Sequence, residues 1–183
     1  RFSELDLLER EASYGRSSFA LQFQLDTSLS DLERFPLRLS DLVVLEVSDH
    51  GPEKIVWSSG AEYRIIDLPN VGFTGDFYHR PAYIHGNWLE FQGCVMFIDP
   101  SGRGSDETAY AVVAQLNGNL YVLEVGAFRD GYSDTVLESM AKAAKRNKVK
   151  LILLEDQFGQ GMLENLLKPY LQVHHPCVIE TRR

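Results

Sequence analysis

The stretch Val95-Met-Phe-Ile-Asp99-Pro-Ser-Gly-Arg-Gly-Ser-Asp106-Glu-Thr108 is an apolar run broken abruptly by an acid. Three apolar residues stand directly before that acid, Met96 to Ile98. They are too many for a strand with one wet face, so the run reads as a strand covered on both sides. Asp99 then closes the strand beside a Gly-rich loop. Pro100 removes a backbone donor and stops the ladder, while Gly102 and Gly104 let the chain approach a charged ligand closely. A second acid, Asp106, lies further along the same loop.

A second apolar run, Val149-Lys-Leu-Ile-Leu-Leu154, ends the same way on Glu155-Asp156, and Gly159 and Gly161 then open a new apolar-periodic segment. Two buried strands thus each deliver carboxylates at their carboxyl ends. If the strands are neighbours in one sheet, Asp99 and Glu155 lie about 5 Å apart. Like charges that close repel and raise a pKa unless a cation lies between them. Hard oxygen donors in this arrangement suit Mg²⁺ or Mn²⁺ better than zinc.

The chain has 183 residues, enough for one main domain with a sizeable core and a small appendage. With 44% hydrophobic and 24% charged residues it has the composition of an ordinary globular protein. No apolar run approaches the roughly 20 residues that span a membrane, so no membrane partner is expected. Cys94 and Cys177 show no metal or redox spacing, which fits a reducing compartment and speaks against zinc. The chain begins at Arg1, and Arg1 to Leu8 is too charged for a signal peptide, so it reads as a fragment of something longer. A formal net charge of −8 speaks against a free-standing nucleic-acid binder. Any DNA must be held locally or by other domains.

Residues 1–40 carry apolar positions without a clean period. Phe19 to Leu25 alternates in favour of a strand, with a short helix as the alternative, and Ser28 to Arg38 is turn-like. The segment reads as a connector. Leu42 to Val47, the turn Asp49-His50-Gly51-Pro52 and Lys54 to Ser58 predict a β-hairpin, with Ala61 to Asp67 as a third strand. Pro69 to Trp88 predicts an ordered loop whose Tyr78, Tyr83 and Trp88 pack, base stacking being the minority alternative. Thr108 to Leu116 and Leu120 to Phe128 flank Asn117-Gly118, a two-residue hairpin signal. Ser133 is the N-cap of a helix with an apolar stripe of Val136, Leu137, Met140, Ala141 and Ala144. The strand 149–154 follows. A helix with Met162, Leu163, Leu166 and Leu167 on one face is expected to stop near Pro169, and Cys177 to Ile179 starts a last strand.

This order, three antiparallel strands and then a parallel strand added through a helical crossover, is the α/β, ribonuclease H-like mixed sheet. The order is shared with generic α/β domains and fixes no function by itself. The residues carry a closer likeness. Ile98 to Val112, Phe128 to Asp134 and Glu155 to Met162 resemble the nuclease domain of large terminase subunits of short-tailed phages, the DNA maturase B type. His174 to Glu180 extends the likeness, and Glu9 to Gly15 with Phe19 to Phe23 resembles the segment that joins that family's ATPase to its nuclease.

The resemblance implies a nuclease domain over 41–183, with 41–90 as a β-hairpin and loop extension and 1–40 as the connector from a missing ATPase domain. It implies metal-dependent endonucleolytic cleavage of concatemeric double-stranded DNA during genome packaging. That activity belongs in the host cytoplasm, at the procapsid portal vertex. The implied partners are the DNA, the portal protein, the small terminase subunit and further copies in a motor ring. ATP belongs to the absent amino-terminal domain, since no Gly-x-x-x-x-Gly-Lys-Ser/Thr loop occurs in this chain. Asp99 and Glu155 match the family's first and fourth-strand acids, the catalytic pair and ligands of a two-metal Mg²⁺ or Mn²⁺ site. Asp106 matches an acidic loop position and stands as an auxiliary ligand, with a turn acid satisfied by backbone amides as the equal alternative. The third family carboxylate lies on a later helix, past Arg183, and its absence would leave the fragment inactive.

Arg103 is the loop residue nearest the acids and a candidate for DNA phosphate. The run Lys142, Lys145 and Arg146, continued by Lys148 and Lys150, is a solvated helix face or a DNA contact. His174-His175 reads as structural, since neighbouring strand side chains point apart, and Asp156 as a cap of the next helix. Two other classes remain open. The Asp99-Pro-Ser-Gly-Arg-Gly loop also resembles the phosphate-binding turn of actin-like ATPases and sugar kinases, which would make the chain one lobe of a phosphotransferase. The other is a non-catalytic docking module of the packaging motor.

Overall fold

The structure, a computed structural model, describes residues 3–14, 19–25, 39–69, 76–101, 106–155 and 161–182. The chain divides into two compact units, Arg1–Leu45 with Trp57–Ala82, and Glu46–Val56 with Tyr83–Arg183. Residues 41–45 and 57–82 cluster with the amino-terminal residues, and 46–56 and 83–90 with the main sheet.

In the first unit, α1 (Glu4–Tyr14) starts on a reciprocal cap. The Asp6 N–H donates to Ser3 Oγ at 3.2 Å and the Ser3 N–H to the Asp6 carboxylate at 3.0 Å, satisfying donors that a helix start leaves free. Ala20–Gln24 is a single π-type helical turn rather than the strand its alternation favoured. Phe19 and Phe23 stack with ring centroids 4.9 Å apart, a contact that spacing of four along a helical turn permits and a strand does not. Arg64–Ile65 pairs with Tyr78–His79 in a minimal antiparallel ladder, all that forms of the expected third strand. The turn-like Ser28 to Arg38 segment lies outside the described residues.

The second unit begins with an antiparallel ribbon of β1 (His50–Val56) and β2 (Tyr83–Glu90). This corrects the predicted hairpin. Gly51-Pro52 lies inside a strand instead of turning, and the partner is Tyr83–Glu90, which had been assigned to a loop. In a two-stranded ribbon each strand has a free edge, where proline's missing donor breaks no ladder bond, and a register shift between Pro52 and Lys54 takes up the misfit. Leu42 to Val47 forms only a single bridge, Val43 to His79.

Five strands make the main sheet: β3 (Gly93–Asp99), β4 (Thr108–Leu116), β5 (Asn119–Phe128), β6 (Leu151–Glu155) and β7 (Val178–Arg182). Their order is β5-β4-β3-β6-β7, with β3, β4 and β5 antiparallel and β6 and β7 parallel to β3. That is the ribonuclease H-like arrangement read from the sequence. The β4–β5 turn is built as expected, with Asn117 at φ 51° and Gly118 at φ 81°, the two positive values that a tight primed turn demands.

Helix α2 (Asp134–Arg146) carries the chain from β5 back to the start of β6. Its predicted stripe is buried throughout, with Ala143 added to it. The Ser133 carbonyl accepts the Val136 and Leu137 N–H groups at 3.0 Å, which starts the helix where predicted. At the other end, Glu124 of β5 accepts bonds from Tyr110, Arg146 and Asn147. Burial opposes the Glu124 charge, yet these donors outweigh it and hold the carboxyl below its ordinary range. Helix α3 (Met162–His174) runs through Pro169 rather than stopping there. Losing one helical bond at proline costs about 3 kcal/mol. Beyond it, Leu171 is buried and the Tyr170 hydroxyl donates to Asp134 at 2.7 Å, which keeps the helix going.

Helices α2 and α3 share one core with one face of the main sheet, formed by Met96 and Ile98 of β3, Val112 of β4 and Ile152 of β6, among others. The expectation that β3 is covered on both faces does not hold among the described residues. Cys94, Met96 and Ile98 are buried, but the alternate face exposes 46% of Phe97, 68% of Val125 and 58% of Val178. Three apolar residues in a row had concealed an ordinary alternation. Because Ile152 is wholly enclosed at the centre of the core, Ile152→Ala is expected to lower unfolding free energy by about 2–5 kcal/mol. In urea the midpoint falls while the denaturant slope stays unchanged.

Candidate functional site

The site is set by the β3–β6 ladder. Val95, Met96, Phe97 and Ile98 pair in parallel with Leu151, Ile152, Leu153 and Leu154. One step beyond the Ile98–Leu154 pair stand Asp99 and Glu155, side by side at the carboxyl ends of neighbouring strands. Ile98 and Leu154 point into the core, so the two acids point to the opposite, exposed face. On its other side Asp99 is paired with Ala109, a side chain too small to crowd it. Glu155 is paired with Arg182.

The loop that follows Asp99 is tied down at its base. The Ser101 N–H donates to Thr108 Oγ1 at 3.0 Å, and that hydroxyl donates to Ser101 Oγ at 2.8 Å. The Tyr132 hydroxyl donates to the Ser101 carbonyl at 3.1 Å. Thr108 is fully buried, so the anchor is shielded from competing water. Thr108 and Tyr132 were not singled out in the sequence, where a threonine at a strand start and a tyrosine before a helix carry no distinguishing signal. Arg103 and Asp156, both named from the sequence, lie outside the described residues.

Electrostatics single out Asp99. Loss of hydration at the packed strand end pushes its carboxyl above the usual range, even though part of the side chain stays exposed. The Glu155 charge, a hydrogen bond that the protonated Asp99 shares with Glu155, and the Asp106 charge push it further the same way. A carboxylate pair of this kind is relieved by a proton or by a cation. Its donors are all oxygen, the set that Mg²⁺ or Mn²⁺ takes and that zinc does not prefer. Asp106 acts on Asp99 through its charge, and among the described residues no group of three or more acidic, histidine or cysteine side chains is gathered closely enough to hold an ion.

The basic run is elsewhere. Lys142 pairs with Glu138 along the helix at 2.8 Å, Arg146 bonds Glu124, and Lys145 is exposed. All three sit at the end of α2 that leads into Leu151, the start of β6, whereas Glu155 closes the strand about 13 Å away. The sequence offered this run as a solvated helix face or a DNA contact. His174 ends α3 and His175 caps it, rather than lying on a strand; His175 Nε2 donates to the Val149 carbonyl at 2.8 Å and His174 lies 3.7 Å from Glu138, so the pair serves the fold.

The family model for the bacteriophage T7 terminase, ribonuclease H-like domain, matches residues 98–183. The chain is 44% identical over 184 residues to the large terminase subunit of Enterobacteria phage T3, covering 100% of this chain and 31% of that protein. It thus spans about a third of that relative's length. Among solved structures, the human cytomegalovirus terminase nuclease domain, Mn soaked and inhibitor bound, is similar at a TM-score of 0.37 and 13% identity, over 49% of this chain and 45% of that one. The fowlpox virus Holliday junction resolvase is similar at 0.35 and 15% identity, over 48% and 60%. The stretch that this family model matches, residues 98–183, takes in both strand-end acids, Asp99 and Glu155.

Proposed function

We propose that this chain is the nuclease part of a DNA-packaging terminase and that it hydrolyses phosphodiester bonds of concatemeric double-stranded DNA with Mg²⁺ or Mn²⁺. The observation that carries this reading is the parallel register that sets Asp99 beside Glu155 on an exposed face. Asp99 and Glu155 hold the divalent ions, with Asp106 close enough to add its charge. When bound, the ions supply an activated water for in-line attack and stabilise the leaving 3′ oxygen. The Ser101–Thr108–Tyr132 anchor holds the chain directly after Asp99 in place while DNA moves across the face. Glu155 orients the attacking water by accepting its hydrogen bond. The portal protein, the small terminase subunit and further copies of the large subunit are the proposed partners, at the procapsid portal vertex in the host cytoplasm.

Cutting is tested in a chimaera in which this chain replaces the matching segment of the T3 large subunit. Supercoiled plasmid is nicked or linearised with Mn²⁺ by the parent chimaera. Asp99→Asn and Glu155→Gln each abolish cutting and leave the melting temperature within a few degrees of the parent. Cutting at the parental rate by either variant would remove that residue from the site.

Ion binding is read on the chain itself. At pH 7, Mn²⁺ raises Tm by about 2–4 °C, the size expected for a kcal/mol or so in a domain of this length. Asp99→Asn raises Tm without the ion, because one of two like charges is gone, and cancels the Mn²⁺ increment. The folded chain holds the Asp99 proton more tightly than the unfolded chain does. Its contribution is therefore favourable at low pH and lost as pH rises through the raised value. The ion competes with that proton, so the Mn²⁺ increment is full at pH 7 and shrinks as pH falls through the same window. A Tm indifferent to Mn²⁺ at pH 7 would count against the site and favour a docking module.

A further inference from the structure

The row of side chains at the end of the sheet continues past the two acids. Glu155 is paired with Arg182 in the parallel β6–β7 ladder, and paired residues of neighbouring strands project from the same face about 4.8 Å apart. Across four strands the row reads Ala109, Asp99, Glu155, Arg182. Arg182 lies on the edge strand with 71% of its side chain exposed, and its Nη2 donates to Glu180 at 2.7 Å, two residues back on the same face. An exposed ion pair of this kind adds little to stability. What it does is direct a planar group with five N–H donors, more than one carboxylate takes up.

We propose that Arg182, aimed by Glu180, is a phosphate-positioning residue: its guanidinium takes a non-bridging phosphate oxygen of the nucleic-acid strand lying across the Asp99–Glu155 pair. The inference rests on the nuclease reading and adds the group that reconciles it with the chain's charge. A chain of net charge −8 that points two of its acids at its substrate repels phosphate at the place where it must bind. A guanidinium one strand away offsets that repulsion, and its fork matches a phosphate in two parallel hydrogen bonds. The edge position leaves the approach open on that side. Arg129, directly after β5 at the same end of the sheet, is paired with Glu107 at 2.7 Å and stands three strands from Glu155, whereas Arg182 is on the strand next to it; Lys142, Lys145 and Arg146 lie on α2, toward the start of β6.

The test is duplex binding by the 183-residue chain, followed by fluorescence anisotropy in Ca²⁺, a hard cation that takes oxygen ligands, with strand integrity checked on a gel. Affinity is measured from 50 to 200 mM salt. Arg182→Ala is expected to weaken binding about tenfold and to lower the slope of log K against log salt by about one, the signature of one lost phosphate contact. Arg182→Lys keeps the slope and loses part of the affinity, because an ammonium has charge without the fork. Glu180→Gln weakens binding at an unchanged slope, and all three variants melt within a few degrees of wild type. The proposal is overturned if Arg182→Ala binds with wild-type affinity and slope, if its loss of binding comes only with a lowered Tm, or if the wild-type chain shows no salt-dependent binding. Because no cutting is needed, the two ideas fail separately. A slope reduced in Arg182→Ala without cutting by any chimaera sinks the nuclease reading alone. Cutting that depends on Asp99 and Glu155, with Arg182→Ala binding like wild type, sinks the Arg182 role alone.

Discussion

Two negative side chains held next to each other are the constraint that the sheet has to meet. At about 5 Å two unit charges repel by about 1 kcal/mol in bulk water and by about 3 kcal/mol near a protein surface, less where solvent screens them. Against that stand the residues directly beneath. Met96, Ile98, Ile152 and Leu154 are each nearly or wholly buried in the paired strands, and each such burial stabilises the fold by about 1.5–3 kcal/mol. The ladder that aligns the acids is the same ladder that aligns these four, so slipping it by one residue to part the charges would turn the core face outward. The fold therefore holds the repulsion in place, and a cation or a proton is left to relieve it.

The crossover that makes the ladder parallel also sorts the charges. Thirteen residues of α2 rise about 20 Å, enough to return the chain from the acid end of the sheet to the start of β6. Its basic residues fall in the last turns, where they favour the helix dipole, and Arg146 meets Glu124 there. Glu124 in turn takes the Tyr110 hydroxyl, whose ionisation is pushed up to about 12 by burial and by that carboxylate. Gly126 makes room for this: a Cβ there would come within 2.4 Å of the Tyr110 ring. The network locks the end of α2 to the core face of the sheet, opposite the face to which the acids point, so the two charge groups have separate work.

What could be read from the sequence was local or periodic. Asp99 and Glu155 each end an apolar run, Asn117-Gly118 can hardly be anything but a tight turn, and the α2 stripe recurs at helical spacing. What could not be read depended on partners distant in the chain. Gly51-Pro52 looks like a turn until Tyr83–Glu90 is known to lie alongside it. Pro169 looks like a stop until Leu171 and the Tyr170–Asp134 bond are known to hold the helix beyond it. Arg182 gives no signal of its own, because its place beside Glu155 is fixed by a parallel register on the far side of α3.

The exposed apolar face, which the sequence had assigned to a covered strand, bears directly on the acids. Below the row of Asp99 and Glu155 come Val125, Ala111, Phe97 and Leu153, and below these Val122, Val113, Val95 and Leu151, each aligned by the same ladders. On the β3, β4 and β5 side such a surface gives Asp99 few polar neighbours within the sheet besides Glu155, and loss of hydration is the leading cause of the raised Asp99 value. Charges at the rim of an apolar surface are less screened than charges on a polar one. The same lack of hydration that makes the pair reluctant to ionise together strengthens its attraction for a divalent ion once one arrives. An apolar strand face and two hard acids at its end are thus one device.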